Sequence, residues 1–283
     1  MSNILLGFPN RADIGTYTGG SWLPALPASN VGIREQWRVA RSTNSELAST
    51  KFSVEFGRPI SMRAFALANH NLSQAALWRI KIGSTAGASD LYDSAWQGVW
   101  HLTFDSDLLE WESSSFWEGI VDDPSEYLGH PYLATHTLPG WINARHLTIE
   151  INDTTNPAGY VQIGRLFAGG GFQPKYNASY GLRDSWLDGS ELSETDSGYT
   201  LAYLKRRRRA VSFELGWVTP DEAAIVHEIQ RRQGLWGEVL YLPDPSDQTK
   251  CQRYGMLGRM AELGPIDYPF YNMRAAAFSI REI

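Results

Sequence analysis

The sequence predicts a mainly β protein of two units, and three observations carry that reading. Apolar and polar residues alternate with a period of two in several separate runs. Only one segment carries complete helix start and stop signals. A glycine-rich passage beginning at Gly169, Gly170 and Gly171 divides the chain.

The first unit, residues 1–170, reads as strands. Phe52, Val54 and Phe56 alternate with Ser53 and Glu55. Gly57, Arg58 and Pro59 signal a turn, and the run from Ile60 to Leu67 starts alternating and becomes apolar on both faces, as a central strand does. Trp78, Ile80 and Ile82 alternate with Arg79 and Lys81. Leu147, Ile149 and Ile151 alternate with His146, Thr148 and Glu150, and Val161 and Ile163 continue the pattern. No amphipathic helix interrupts these runs, so a β-sandwich is the expected solution. Residues 105–140 have no clean period and are expected to be an irregular insertion at a loop end.

Residues 171–181, with Pro174, Asn177 and Gly181, have the composition of a linker. In the second unit, residues 182–283, strand-like 199–204 leads to Lys205, Arg206, Arg207, Arg208 and Arg209, then to strand-like 211–218. A helix over 220–233 follows. Thr219 is placed as N-cap, Pro220 at N1 and Glu222 at N3, which completes a capping box. Ile225, Val226 and Ile229 form its apolar stripe, Arg231 and Arg232 suit its last turn, and Gly234 ends it. Strands are expected at 237–242, 252–260 and 274–282.

Composition excludes several classes. Of 283 residues 43% are hydrophobic and 20% charged, a globular mixture. The single cysteine, Cys251, leaves no intramolecular disulfide and no Cys-rich metal site. No apolar run approaches the ~20 residues of a membrane-spanning helix, and the start of the chain lacks a signal-peptide pattern, which implies cytoplasmic synthesis. A net charge of −6 argues against general nucleic-acid binding. The charge is uneven, however. Residues 82–144 hold no Lys or Arg but ten acids, so the remainder of the chain is net positive. Such segregation suggests surfaces that complement one another within a chain or between copies.

Two stretches resemble known families. Residues 52–60 with Phe65, Ala66, Leu67, Ala68, Asn69, His70, Asn71 and Leu72, closed by 144–151 and 159–165, resemble a galactose-binding-like (discoidin) jelly roll. The second unit, with strands, one capped helix and a final strand at 278–282, resembles the tube-like β-domain of phage tail proteins. Together the pair looks like a distal or minor tail protein of a long, non-contractile phage tail, with the sandwich placed first. The resemblance implies an N-terminal jelly-roll β-sandwich plus a C-terminal α+β tail-tube-like domain. It further implies a homo-oligomer, a hexameric ring, touching the tail tube above and the tip or hub proteins below in the virion.

Against that frame each tempting motif has a plainer reading. His70 fits a loop hydrogen-bonder better than a general base, because no nucleophile with a fixed partner is visible nearby. His130, His136, Asp122, Asp123 and Glu126 carry no metal-site spacing, and Asp105 with Asp107 is too little for calcium, so no metal and no cofactor is expected. The acids near Trp111 and Trp117 suggest a glycosidase or depolymerase less than a packed or sugar-stacking loop. Trp96, Trp100, Trp111, Trp117 and Trp141 are the candidates for glycan or partner contacts, and a host-glycan-binding tail protein is the alternative function. The basic run 205–209 suggests a DNA contact less than an edge or interface strand facing a neighbour's acids, with Arg206 and Arg208 on one face and Lys205, Arg207 and Arg209 on the other. The expectation is a non-enzymatic assembly protein.

Overall fold

The computed structural model describes residues 2–101, 111, 132–194, 196–197 and 199–283. The protein is mainly β. Its strands are β1 (Leu5–Asn10), β2 (Thr16–Thr18), β3 (Ala40–Arg41), β4 (Phe52–His70), β5 (Leu77–Gly83), β6 (Tyr92–Asp93), β7 (Gln97–Gly98), β8 (Leu133–Asn152) and β9 (Gln162–Phe172) in the first half. The second half contributes β10 (Arg183–Leu187), β11 (Glu191–Glu194), β12 (Thr200–Tyr203), β13 (Arg208–Val218), β14 (Glu238–Leu242), β15 (Met256–Phe270) and β16 (Met273–Glu282). It also carries the helices α1 (Pro220–Gln233) and α2 (Gln248–Tyr254).

The first half is a sandwich made by two long bent strands. The runs around 52–56 and 60–67, expected as two strands across a turn, form the single strand β4, and Gly57 bends it at a φ of +66°. Its register against β8 shifts between Glu55 and Ile60 and again between Met62 and Ala64. Before the bend β4 also pairs with β2; beyond it, residues 64–70 pair with β9. Strands that change partners across a bulge are how one ribbon supplies two packed layers. Phe52, Val54, Phe65, Leu67, Trp78, Leu147 and Ile163 fill the core between them. Strand β8 starts at Leu133, so the end of the expected insertion 105–140 is regular strand.

The glycine run has a different purpose from the one its composition suggests. Gly169, Gly170 and Gly171 lie inside β9 and are buried. A Cβ on Gly169 would meet the Pro9 carbonyl oxygen at 2.2 Å, and one on Gly170 the Phe8 oxygen at 2.8 Å. Glycine is needed there so that β1 can lie close against β9. The stretch after it is pinned as well. Gln173 Nε2 donates to Ser2 Oγ and Asn3 O, the Asn3 amide donates to Pro174 O and Lys175 O, and Asn177 Oδ1 accepts from Ile4 N.

Strand β1 is the joint of the molecule. It pairs antiparallel with β9 on one side and with β14 on the other, so one continuous sheet runs from β10 through β13, β16, β15, β14, β1, β9, β4, β8 and β5 to β6. Leu5, Ala66, Phe167, Leu240, Leu242 and Leu257 form a separate apolar cluster across this joint.

Helix α1 forms where the capping signals place it. Thr219 Oγ1 accepts from Glu222 N at 3.4 Å, and Thr219 N donates to Glu222 Oε2 at 2.9 Å. Val226, Ile229 and Gln233 are buried, whereas Ile225 is exposed, so the stripe runs through 226, 229 and 233. Replacing Thr219 by Ala is expected to cost about 1 kcal/mol of unfolding free energy in urea titration, the usual loss for an N-cap hydroxyl. Residues 252–254, expected in a strand, belong to α2, whose N-cap Asp247 accepts from Lys250 N at 3.1 Å.

Candidate assembly surface and polar seam

The least buried part of the described protein is a β-arm in the second half. Strand β10 pairs with β13, from Arg183 opposite Ser212 to Leu187 opposite Arg208. Beyond a short irregular stretch, β11 and β12 pair as a separate two-stranded sheet, from Glu191 opposite Tyr203 to Glu194 opposite Thr200. Every residue of β10, β11 and β12 is exposed. Cross-strand pairing puts Tyr203 and Leu201 on one face and Leu192 and Ala202 on the other. Leu192 is 72% exposed, Tyr203 68% and Leu204 80%. A two-stranded ribbon with apolar side chains on both faces is marginal alone in water.

The basic run sits at the root of this arm, and its acids come from the same chain. Lys205 pairs with Glu191, Arg207 with Asp188 at 3.2 Å, and Arg206 and Arg209 with Glu282 at 3.8 and 3.4 Å. Arg209 is buried and also donates to the carbonyls of Arg253 and Gly255, tying β13 to the end of α2. Arg208 is exposed. The expectation of an edge strand is therefore corrected. Strand β13 lies between β10 and β16, and four of the five basic side chains are paired internally. The expected alternation also fails, since Lys205, Arg206 and Arg207 precede the strand.

A second exposed aromatic group lies near the β15–β16 turn. Trp217 stacks on Phe270 with centroids 5.8 Å apart and planes at 7°, and the Arg274 guanidinium covers Tyr268 at 4.1 Å. Tyr271 beside them is almost fully exposed.

The described tryptophans proposed for contacts have different surroundings. Trp100 packs on the sandwich core, edge-on to His70 and Tyr132, and its Nε1 donates to Leu72 O at 3.1 Å. Trp96 is partly exposed with the Arg79 guanidinium 5.9 Å from its ring, and Arg79 Nε donates to Asp93 Oδ1 at 2.8 Å. Trp141 is exposed but lays its ring edge over Gly170 near the joint. Trp111 is exposed, and Trp117 lies outside the described residues. So do His130 and the acids at 105, 107, 110, 112, 118, 122, 123 and 126.

His70 is buried at the end of β4. Its Nδ1 accepts from Leu72 N at 3.3 Å, and burial pushes its pKa down to about 3, which holds the ring neutral. His136 is similarly lowered by burial, to about 4, with Nε2 against the Tyr92 hydroxyl at 2.9 Å. Among the described residues no group of three or more His, Cys, Asp or Glu is arranged to hold a metal ion.

Two features have no counterpart in the sequence reading. One is the exposure of the arm, because nothing in strand-like 199–204 tells that the ribbon is left uncovered. The other is a buried ionic seam at the joint. Arg165 on β9 is fully buried and its Nε donates to the Glu238 carboxylate on β14 at 2.9 and 3.0 Å, while its Nη2 reaches Asp13. Asn10 Nδ2 adds a bond to Glu238 at 2.9 Å.

Fold and surface together define a mainly β protein with a sandwich, an attached sheet-and-helix unit and a projecting apolar arm. No family model and no curated protein matches the chain. Among solved structures it is similar to the family 32 carbohydrate-binding module of NanJ from Clostridium perfringens in complex with galactose, at 13% identity and a TM-score of 0.37, over 58% of this chain and 98% of that one. It is also similar to a fucose-binding module from Streptococcus pneumoniae, at 11% identity and a TM-score of 0.36, over 58% and 98%. A variant of the lectin-binding domain of Lectinolysin complexed with Lewis b gives 11% identity and a TM-score of 0.37, over 58% and 97%. At these TM-scores the likeness bears on neither ligand nor activity.

Proposed function

We propose that this protein is a structural, non-enzymatic assembly component of a phage tail tip. Its second half forms a ring of identical copies between tail tube and hub proteins, and the sandwich is carried as an accessory. The observation behind this reading is the arm, whose strands are exposed on both faces and carry Leu192, Leu201 and Tyr203 into solvent, with exposed Leu204 just past them. Apolar residues on so thin a ribbon are stabilised by burial against a partner. The tail setting and the hexameric ring come with the family resemblance of the second unit. Mass photometry of the purified chain and of particles tests the reading. A ring-sized mass is expected, and monomer alone under every condition overturns it.

The second reading is non-catalytic binding of a host-surface glycan by the sandwich. Trp96 favours it, because a partly exposed indole beside the Arg79–Asp93 pair combines a stacking face with polar groups, which is what sugar recognition requires. On this reading Trp96→Ala removes glycan-array signal while leaving oligomer mass unchanged. A wild-type chain with no array signal ends it.

A further inference from the structure

Two uncovered apolar surfaces sit at opposite ends of β13. The arm joins it at the Arg208 end, where Leu187 pairs with Arg208. At the other end Val218 pairs with Arg274, just past the β15–β16 turn that Phe270 and Met273 close. Trp217, Tyr268, Phe270 and Tyr271 gather there, and all four are exposed. Roughly 30 Å of strand separates the two ends. No described residue of the same copy covers Leu192, Leu201, Tyr203 or Leu204. The aromatic end is already ordered. Trp217 and Phe270 stack on each other, and Arg274 is held across Tyr268 while its Nη1 donates to the carbonyls of Phe270, Tyr271 and Met273. Side chains fixed before contact lose little freedom on binding. Among the described residues no carboxylate pairs with Arg274, and Asp267 of the same hairpin, opposite Ala275, forms no ion pair with it. The arm shows the converse. Glu191 is held by Lys205, but Glu194 has no cation partner among the described residues. Trp, Tyr, Phe and Arg are the side chains that dominate the buried centres of interfaces.

We infer that the Trp217–Phe270 end of one copy receives the arm of a second copy, with Glu194 of the arm set against Arg274. This contact presupposes the assembly proposed above and gives it a direction. Two different surfaces at opposite ends of one strand meet head to tail, and such contacts close into a ring when the rotation between copies allows it. An arm packed on an arm would instead be symmetric and stop at two copies.

Two full-length variants, Leu201→Cys and Tyr271→Cys, co-expressed and treated with a short bismaleimide, test the contact. Cys251 is buried and stays out of the reaction. A covalent dimer is expected from the mixed copies and from neither variant alone. Trp217→Ala should weaken assembly about thirtyfold, the loss of a central aromatic anchor. Tyr271→Ala should weaken it as well and serves as the independent variant, since that side chain is almost fully exposed and the fold does not lean on it. Arg274→Glu should weaken assembly about tenfold, and Glu194→Arg in the same chain should restore it. Covalent dimer from Leu201→Cys alone means that arm meets arm and overturns the inference. A ring-sized assembly that yields no mixed dimer and is indifferent to Trp217→Ala and Tyr271→Ala also overturns it, while the assembly itself stands. Monomer alone in the unmodified chain overturns both.

Discussion

Replacing Glu238 by Gln is expected to lower the unfolding free energy by about 3–5 kcal/mol, the usual cost of breaking a buried ion pair from one side. Arg165 is fully buried and Glu238 nearly so, and the pair spans the joint between β9 and β14. The glutamine leaves a guanidinium out of water with Asp13 as its remaining acid, and Asp13 is shared with Arg34. Urea unfolding of the variant measures the loss, and a change below about 1 kcal/mol means that water reaches the pair and screens it. The double replacement Arg165→Met with Glu238→Leu separates the value of the pair from the penalty of breaking it. It should recover most of the loss, because an apolar pair of similar size avoids burying charge.

The arm carries the second large effect. On the proposed assembly, Leu192→Glu, Leu201→Glu and Leu204→Glu together should leave only monomer at micromolar concentration. Burying one such side chain contributes about 1.5–3 kcal/mol, so three per copy account for several powers of ten in association. The monomer itself should keep its thermal midpoint, since exposed substitutions change stability by about 0.5 kcal/mol at most. Mass photometry and a thermal melt on the same sample read both quantities. A variant that still assembles at wild-type concentration shows that the arm does not hold the copies together.

The elements legible in the sequence were those fixed by neighbours along the chain. The capping box at Thr219 and Glu222 located α1, and strict alternation located the cores of β4, β5 and β8. What was not legible depends on distant residues. Strand β1 is defined by pairing with Phe172 and Leu242, and nothing local to Leu5 or Leu6 announces either partner. Glycines that permit close backbone approach look in sequence like glycines in a linker, which is how the run in β9 reads. The Asp247 N-cap was a usable signal for α2 that the apolar pattern after it obscured. The Arg165–Glu238 pair left no pattern at all, being joined only when β1 brings β9 and β14 to its two sides. Among the candidate site residues, alternation identifies strands but cannot say whether a strand has neighbours on both sides, which is why the basic run reads as an edge.

The placement of β1 has a consequence for how the molecule is made. This ribbon is synthesised well before one of its partners, so one of its two edges stays open until β14 has followed it. Pairings this far apart in sequence close slowly. During that interval the nascent sandwich presents an unsealed seam, and a proteolytic nick between 173 and 181 in the finished protein would leave two pieces still zipped together, because β1 of the first piece stays paired with β14 of the second.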